Sequence, residues 1–279
     1  MRIGNLGGRL VLVDPDSEHA TDVERASDGR FGAHPQAVFE RWAEFVQWAA
    51  DVDPSAGEPF DPARLGPPVP RPPQVFGIGL NYRDHAEEAG LELPEEPMVF
   101  TKFPSSVTGP YAEVRLPSDR CDYEVELVVV IGQEGHAISA DRAWDHVAGL
   151  TVGQDLSERA VQFRGKPPQF SMGKSYPGFS PVGPVLVTPE EFADRDRLAI
   201  GCSSGEEVLQ DGTTADMVFP VADLIARLSA IVRLLPGDLI FTGTPAGVGA
   251  VRKPRRYLSR GEVIVSTIEG IGQLRTTLG

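Results

Sequence analysis

The segment Cys121-Asp122-Tyr123-Glu124-Val125-Glu126-Leu127 carries an acid at every second position and then runs into the apolar stretch Val128 to Ile131. Side chains alternate faces along a strand, so Asp122, Glu124 and Glu126 are expected on one face and Tyr123, Val125 and Leu127 on the other. A continuation that is apolar on both faces implies a buried strand. Neighbouring carboxylates repel, and burying an unpaired anion is costly. Lysine or arginine, protonation, or a divalent cation must offset them, and oxygen-only ligands suit Mg²⁺, Mn²⁺ or Ca²⁺ rather than zinc. A half-exposed edge strand with solvated acids fits the same pattern. Asp155 follows the apolar run Gly149 to Gln154, where a further ligand would stand, although with Glu158 it also reads as a helix-capping pair.

Other residues point to proton transfer and anion binding. His85 and Glu88 are one helical turn apart, and a carboxylate that orients an imidazole raises its basicity, which makes a general base. The same spacing arises on any surface helix. The loop Phe241 to Gly249 offers backbone N–H groups and hydroxyls to an anion. It lacks the lysine of a P-loop and is not G-x-G-x-x-G. Lys174, in Ser171-Met172-Gly173-Lys174-Ser175, supplies a cation. The densest basic run, Arg252, Lys253, Arg255 and Arg256, reads as a solvated loop or one that meets a partner subunit or substrate.

The elements that must position these groups are mostly short strands. Arg9 to Val13 suits a strand ended by Asp14-Pro15, and Val38, Trp42, Phe45, Val46 and Ala49 recur at helical spacing within Pro35 to Ala50. Prolines between Pro54 and Pro73 describe an extended connector. The boundary therefore falls near residue 73, with a small N-terminal α+β region at 1–73 and the main domain at 74–279. Beyond it, strands are expected at 75–79, 123–131, 147–152, 182–187, 198–202, 239–242 and 262–268, with helices at 82–89 and 221–234. Strands and helices do not alternate regularly, so a mostly β, barrel-like or rolled-sheet α+β domain is expected rather than a Rossmann or TIM-barrel fold.

Composition bounds the rest. With 26 basic and 40 acidic residues the formal charge is −14, which argues against nucleic acid and anionic membrane surfaces as partners. A hydrophobic fraction of 41% and a charged fraction of 24% are ordinary globular values. Two cysteines, Cys121 and Cys202, exclude a disulfide framework. With no long apolar run at the start, they set the expectation of a cytoplasmic protein without a signal peptide.

Taken in order, the motifs resemble the fumarylacetoacetate hydrolase family over roughly residues 74–279. The resemblance is carried by Gly79-Leu80-Asn81-Tyr82 with His85, Asp122 to Leu127, Gly153-Gln154-Asp155, Gly173-Lys174, Pro236-Gly237-Asp238, Thr242-Gly243-Thr244-Pro245 through Gly249, and Ile268-Glu269-Gly270-Ile271-Gly272. It implies a mixed β-roll domain, homodimeric, holding Mg²⁺ or Mn²⁺ on Glu124, Glu126 and Asp155, with Asp122 behind them. It also implies His85 and Glu88 as a proton-transfer pair and Lys174 as an enolate-stabilising cation. Lys102, Arg159, Gln162 and Thr244 then face a small anionic oxo-acid substrate. The activity expected is hydrolysis of a C–C bond in an acylpyruvate-type 2,4-dioxo acid. Isomerisation or decarboxylation of a hydroxymuconate-type dioate or oxaloacetate, and a non-catalytic metal-binding role, are the alternatives.

Overall fold

The structure, a computed structural model, describes residues 1–279. The fold is mostly β, with mixed sheets. Its centre is the strand Val125–Ile131, buried along its whole length, as a stretch apolar on both faces requires. It lies antiparallel between Val147–Gln154 and Leu239–Phe241. From there a 12-stranded sheet runs in one direction through Ser180–Val187 to the N-terminal strands, and in the other through Val75–Gly79 to Met98–Thr101. A five-stranded sheet, including Ala199–Ser204, Glu207–Thr213, Val263–Ile268 and Gly272–Leu278, packs against it. A short pair, Cys121–Asp122 with Ser157–Glu158, stands beside the end of the central strand.

The acidic segment departs from the continuous strand expected over 123–131. Its pairing changes at Tyr123 and Glu124, since Cys121–Asp122 pairs with Ser157–Glu158 whereas Val125 onward pairs with Gln154 and its predecessors. The Gln154 side chain accepts from the Glu124 N–H where a ladder partner would otherwise stand. Asp155 N–H donates to the Glu124 carbonyl at 2.8 Å. The ends of two neighbouring strands are thereby fixed to each other. Glu126 faces Gly153 across the ladder, and a Cβ at Gly153 would meet Val128 Cγ2 at 2.4 Å, so only glycine lets the two strands keep this contact.

Residues 1–73 share the sheet and its core. Arg2–Leu6 pairs antiparallel with Ser180–Val187, and Ile3, Leu10 and Leu12 pack with Val128, Val182 and Phe241. The single helix expected over 35–50 is a 3₁₀ helix at Pro35–Arg41 followed by an α-helix at Trp42–Ala49. Phe39, Trp42, Phe45 and Trp48 recur every three residues, and adjacent rings lie 5.6–5.9 Å apart. Phe39 lies in the 3₁₀ segment, and Trp42, Phe45 and Trp48 continue the same aromatic row along the α-helix, where residues three apart are neighbours on one face. The second long helix stops at Ile231 rather than 234, because Val232 turns extended and Leu234 bridges to Gly135. No helix is long and apolar enough to cross a membrane.

Candidate active site

One cavity of about 560 Å³ opens beside the end of the central strand, within the usual range for small-molecule sites, about 300–1,000 Å³. Its floor carries Glu124 and Glu126, which with Asp155 place one carboxylate oxygen each within 4.8 Å of one another, all three residues buried. Three cations stand around them. Lys174 Nζ donates to Glu124 Oε2 and Asp155 Oδ2, both at 2.7 Å, and to Ser157 Oγ at 2.8 Å. Arg159 Nη2 lies 2.7 Å from Glu124 Oε1 and 2.7 Å from Asp122 Oδ2, while its Nη1 donates to Gln162 Oε1. Lys102 Nζ donates to Asp155 Oδ1 and to the carbonyls of Lys174 and Phe179.

Asp122, Glu124, Glu126 and Asp155 outnumber Lys102, Arg159 and Lys174 by one, and Glu126 is the acid without an ion-pair partner. Its recorded hydrogen bond is from Gly243 N–H, at 2.8 Å. Burial pushes Glu126, faced also by Asp155 and Glu124, well above the ordinary carboxylate range. Burial also pushes the Glu124 carboxyl up, but Lys174 and Arg159 outweigh it and hold it at about 2. Burial pulls Lys174 down, yet Asp155 and Glu124 prevail and raise it. Burial lowers Lys102, and Asp155 does not fully restore it because Lys174 is close. Three convergent carboxylates, one of them buried with no cation against it, form an all-oxygen donor set that fits a hard divalent ion such as Mg²⁺ or Mn²⁺.

His85 lines the cavity from the helix Arg83–Ala89, and its Nδ1 lies 2.7 Å from Glu88 Oε1. The other Glu88 oxygen accepts from Gly247 N–H at 2.9 Å, and Asp84 accepts from Ala246 N–H at 3.2 Å. These bonds dock the helix on the loop Thr242–Gly249. The loop does bind anions, as its composition suggested, but they are the chain's own carboxylates. Gly243 N–H serves Glu126, Ala246 and Gly247 serve Asp84 and Glu88, and Gly249 and Ala250 serve Asp122. Gly243 holds φ at +96°, and a Cβ there would meet Asn81 Cβ at 2.8 Å.

Of the four residues expected to face substrate, Arg159, Gln162 and Thr244 line the cavity. Lys102 does not; its three contacts hold Asp155 in place, and an ammonium has only three protons to give. Asp122 turns away from the carboxylate trio towards Arg159 and the glycine loop, because the pairing change ends the strict alternation. Glu158 caps the short helix Arg159–Gln162 through Val161 N–H without Asp155 taking part. Sequence reasoning missed Ser157, which holds Lys174, and Arg120 and Tyr257 on the cavity wall.

A family model described as "Fumarylacetoacetate (FAA) hydrolase C-terminal" matches residues 74–279. The chain belongs to the fumarylacetoacetate hydrolase family. Among its relatives, the Homo sapiens protein named oxaloacetate tautomerase FAHD2A, mitochondrial, is 48% identical over 207 residues, which are 74% of this chain and 66% of that one. The match thus spans just under two-thirds of that relative's length. A Mycobacterium smegmatis protein provisionally called HpcE is 49% identical in its crystal structure, with a TM-score of 0.94 over 100% of this chain and 99% of the other. The fumarylpyruvate hydrolase of Pseudomonas aeruginosa, solved in complex with Mn²⁺ and pyruvate, is 32% identical over 74% of this chain and 88% of that one, with a TM-score of 0.67. Among the proteins this chain resembles are one named as a tautomerase and one named as a hydrolase.

Proposed function

We propose that this chain is a divalent-cation-assisted enzyme that moves a proton on the enolisable carbon of a small 2-oxo acid, with keto–enol tautomerisation as its first reaction. The observation that carries the reading is one cavity floor on which Glu126 lies buried without a cationic partner while His85, held by Glu88, lines the same space. Glu124, Glu126 and Asp155 would hold the ion, which when bound supplies Lewis-acid polarisation of the 2-oxo carbonyl. With Nδ1 engaged by Glu88, His85 keeps Nε2 to take a proton from the substrate carbon and return it. The Lys174 ammonium lines the cavity with its three protons given to Glu124, Asp155 and Ser157, so it fixes two of the carboxylates and acts on charge developing at the enolate oxygen through its field rather than by direct contact. Arg159, fixed by Asp122 and Gln162, is set to meet a substrate carboxylate. The tautomerase name of a relative 48% identical to this chain supports this order of preference.

The size of the cavity favours a second reading, C–C hydrolysis of an acylpyruvate-type 2,4-dioxo acid. Beside the polar floor it has an apolar wall including Met98, Phe100, Phe163 and Phe170, more than a four-carbon acid needs. Hydrolysis would use His85 to deprotonate a water. Two assays with Mg²⁺ or Mn²⁺ test both readings. One follows oxaloacetate in D₂O by enol absorbance and deuterium incorporation, and the other incubates a 2,4-dioxo acid with product identification. Exchange above the buffer rate without cleavage establishes the first reading and cleavage the second. Rates equal to buffer in both, unchanged by EDTA, would refute both.

A further inference from the structure

One residue of the cavity wall is held against its own backbone preference. Leu80 stands in the turn between the strand Val75–Gly79 and the helix Arg83–Ala89 that carries His85, and its φ is +55°. A Cβ makes this left-handed region costly, so glycine or asparagine is its usual occupant. Two other non-glycine residues hold such an angle, Asp28 at +51° and Ala137 at +54°. Aspartate tolerates the region through its short polar side chain, alanine has nothing beyond Cβ, and neither residue lines the cavity. Leu80 is the one of the three with a large branched side chain, and it does line the cavity.

The neighbours of Leu80 enforce the angle. Gly79 before it is paired with Met98 on the adjoining strand. After it, Asn81 Nδ2 donates to the Phe219 and Thr242 carbonyls at 3.1 and 2.7 Å, and Asn81 Oδ1 accepts from Phe219 N–H at 2.9 Å. The Asn81 carbonyl accepts from Val218 N–H at 2.7 Å, and the fully buried Tyr82 bridges to Met217. With both flanks held, the chain must turn at Leu80, and glycine would make that turn without the cost. What leucine adds is its side chain, and that side chain serves no core. It is half-buried and packs with neither of the two buried apolar clusters. It lines the cavity instead, with Ile78, Gly79 and His85. The carboxylate floor is close by. A Cβ at Gly243 would lie 3.1 Å from the Ile78 carbonyl oxygen and 2.8 Å from Asn81 Cβ, and Gly243 N–H is the group that donates to Glu126.

We propose that Leu80 is a specificity residue whose side chain packs on the carbons next to the 2-oxo group of the bound acid, and that the left-handed turn is kept for this contact. The proposal rests on the reading of the floor as the site for the 2-oxo-acid end. Backbone strain is characteristically retained at positions that clamp a ligand. Leu80 takes no part in proton transfer; it supplies the apolar surface against which the enolisable carbon is set between Glu126 and His85.

Stability and binding should then respond with opposite signs. Leu80→Gly and Leu80→Asn, which suit the left-handed turn better, should melt at or above the wild-type temperature. Calorimetry on the whole chain in Mg²⁺ would compare 2-oxobutanoate with oxalate, which offers the ion similar oxygens but has no carbon beyond them. Both variants should bind 2-oxobutanoate roughly 4- to 15-fold more weakly, the worth of one to two apolar carbons uncovered, and oxalate within about twofold of wild type. Leu80→Met, which keeps an apolar side chain of similar volume, should retain 2-oxobutanoate affinity within about threefold. A fall of more than about 3 °C in the melting temperature of both Leu80→Gly and Leu80→Asn would make Leu80 a structural residue and overturn the proposal. Equal losses for the two acids would overturn it as well. Wild type that binds neither acid in Mg²⁺ would refute the reading of the floor and this proposal with it. Oxalate binding in wild type, with 2-oxobutanoate affinity indifferent to Leu80, would refute this proposal and leave the floor reading standing.

Discussion

Substituting Asp122 by asparagine removes one charge and replaces one acceptor oxygen by a donor, and the structure shows what each would cost. Asp122 is fully buried. Its Oδ1 accepts from Tyr123 and Gly249 N–H, and its Oδ2 from Ala250 N–H and Arg159 Nε, all at 2.8–2.9 Å, with Arg159 Nη2 at 2.7 Å. Whichever way the amide is turned, its NH₂ faces at least two donors. Arg159, buried as well, keeps only Glu124 and Gln162. Breaking a buried, hydrogen-bonded ion pair by removing one partner costs about 3–5 kcal/mol. At about 2–4 °C per kcal/mol for large domains, Tm should fall by roughly 10 °C. Scanning calorimetry reads this directly, and urea unfolding with an unchanged m-value would confirm that the native state is what has been weakened. A Tm within about 2 °C of wild type, less than 1 kcal/mol on the same scale, would show that Asp122 does not anchor Arg159 and the loop as argued.

Glu126→Gln should leave the metal-free chain as stable as wild type or more so, because it removes a buried anion without a partner. It should also abolish the stabilisation by Mg²⁺, about 2.7 kcal/mol at a hundred times Kd. Thermal melts with and without the ion test both, and an unaltered Mg²⁺ shift counts against Glu126 as a ligand. His85→Gln should slow oxo-acid proton exchange by about 10²–10⁴-fold, the usual worth of a general base, while calorimetric Mg²⁺ affinity is kept; retained exchange would move proton transfer to another residue. Asp238 is pushed up from 3.8 to about 6 by burial, against N–H groups from Leu235 and Gln74. As pH rises from about 4 to 6 the unfolded chain ionises first, so wild type should lose about 2–3 kcal/mol relative to Asp238→Asn, the linkage equivalent of two pKa units. Parallel urea-midpoint profiles of the two proteins over pH 4 to 7 would contradict the raised value.

The parts legible in the sequence were those governed by local periodicity. Glu124 and Glu126 could be read from the two-residue repeat of a strand, His85 and Glu88 from one helical turn, and Asp155 from its place after an apolar run. What escaped depends on contacts between distant segments. No spacing announces that Ser157 receives Lys174, or that Lys102 is committed to Asp155 and the carbonyls around it rather than to a ligand. The strand Arg2–Leu6 joins the main sheet through Ser180–Val187, far along the chain, so a proline-rich connector suggested a separation that the hydrogen bonds do not make. The break at Tyr123 and Glu124 arises because the Gln154 side chain stands in for a ladder partner, which propensity does not register.

The loop Thr242–Gly249 has a consequence of its own. Counted with Ala250, its amides grip Glu126 on the floor, Asp84 and Glu88 on the His85 helix, and, through Asp122, the guanidinium of Arg159. The loop is a common ruler for three groups that come from separate parts of the chain. Lengthening it by one residue would displace all three together, whereas replacing any one carboxylate would release only its own. Drift among relatives of this chain should therefore be tolerated in side chains around the loop far more readily than in its length.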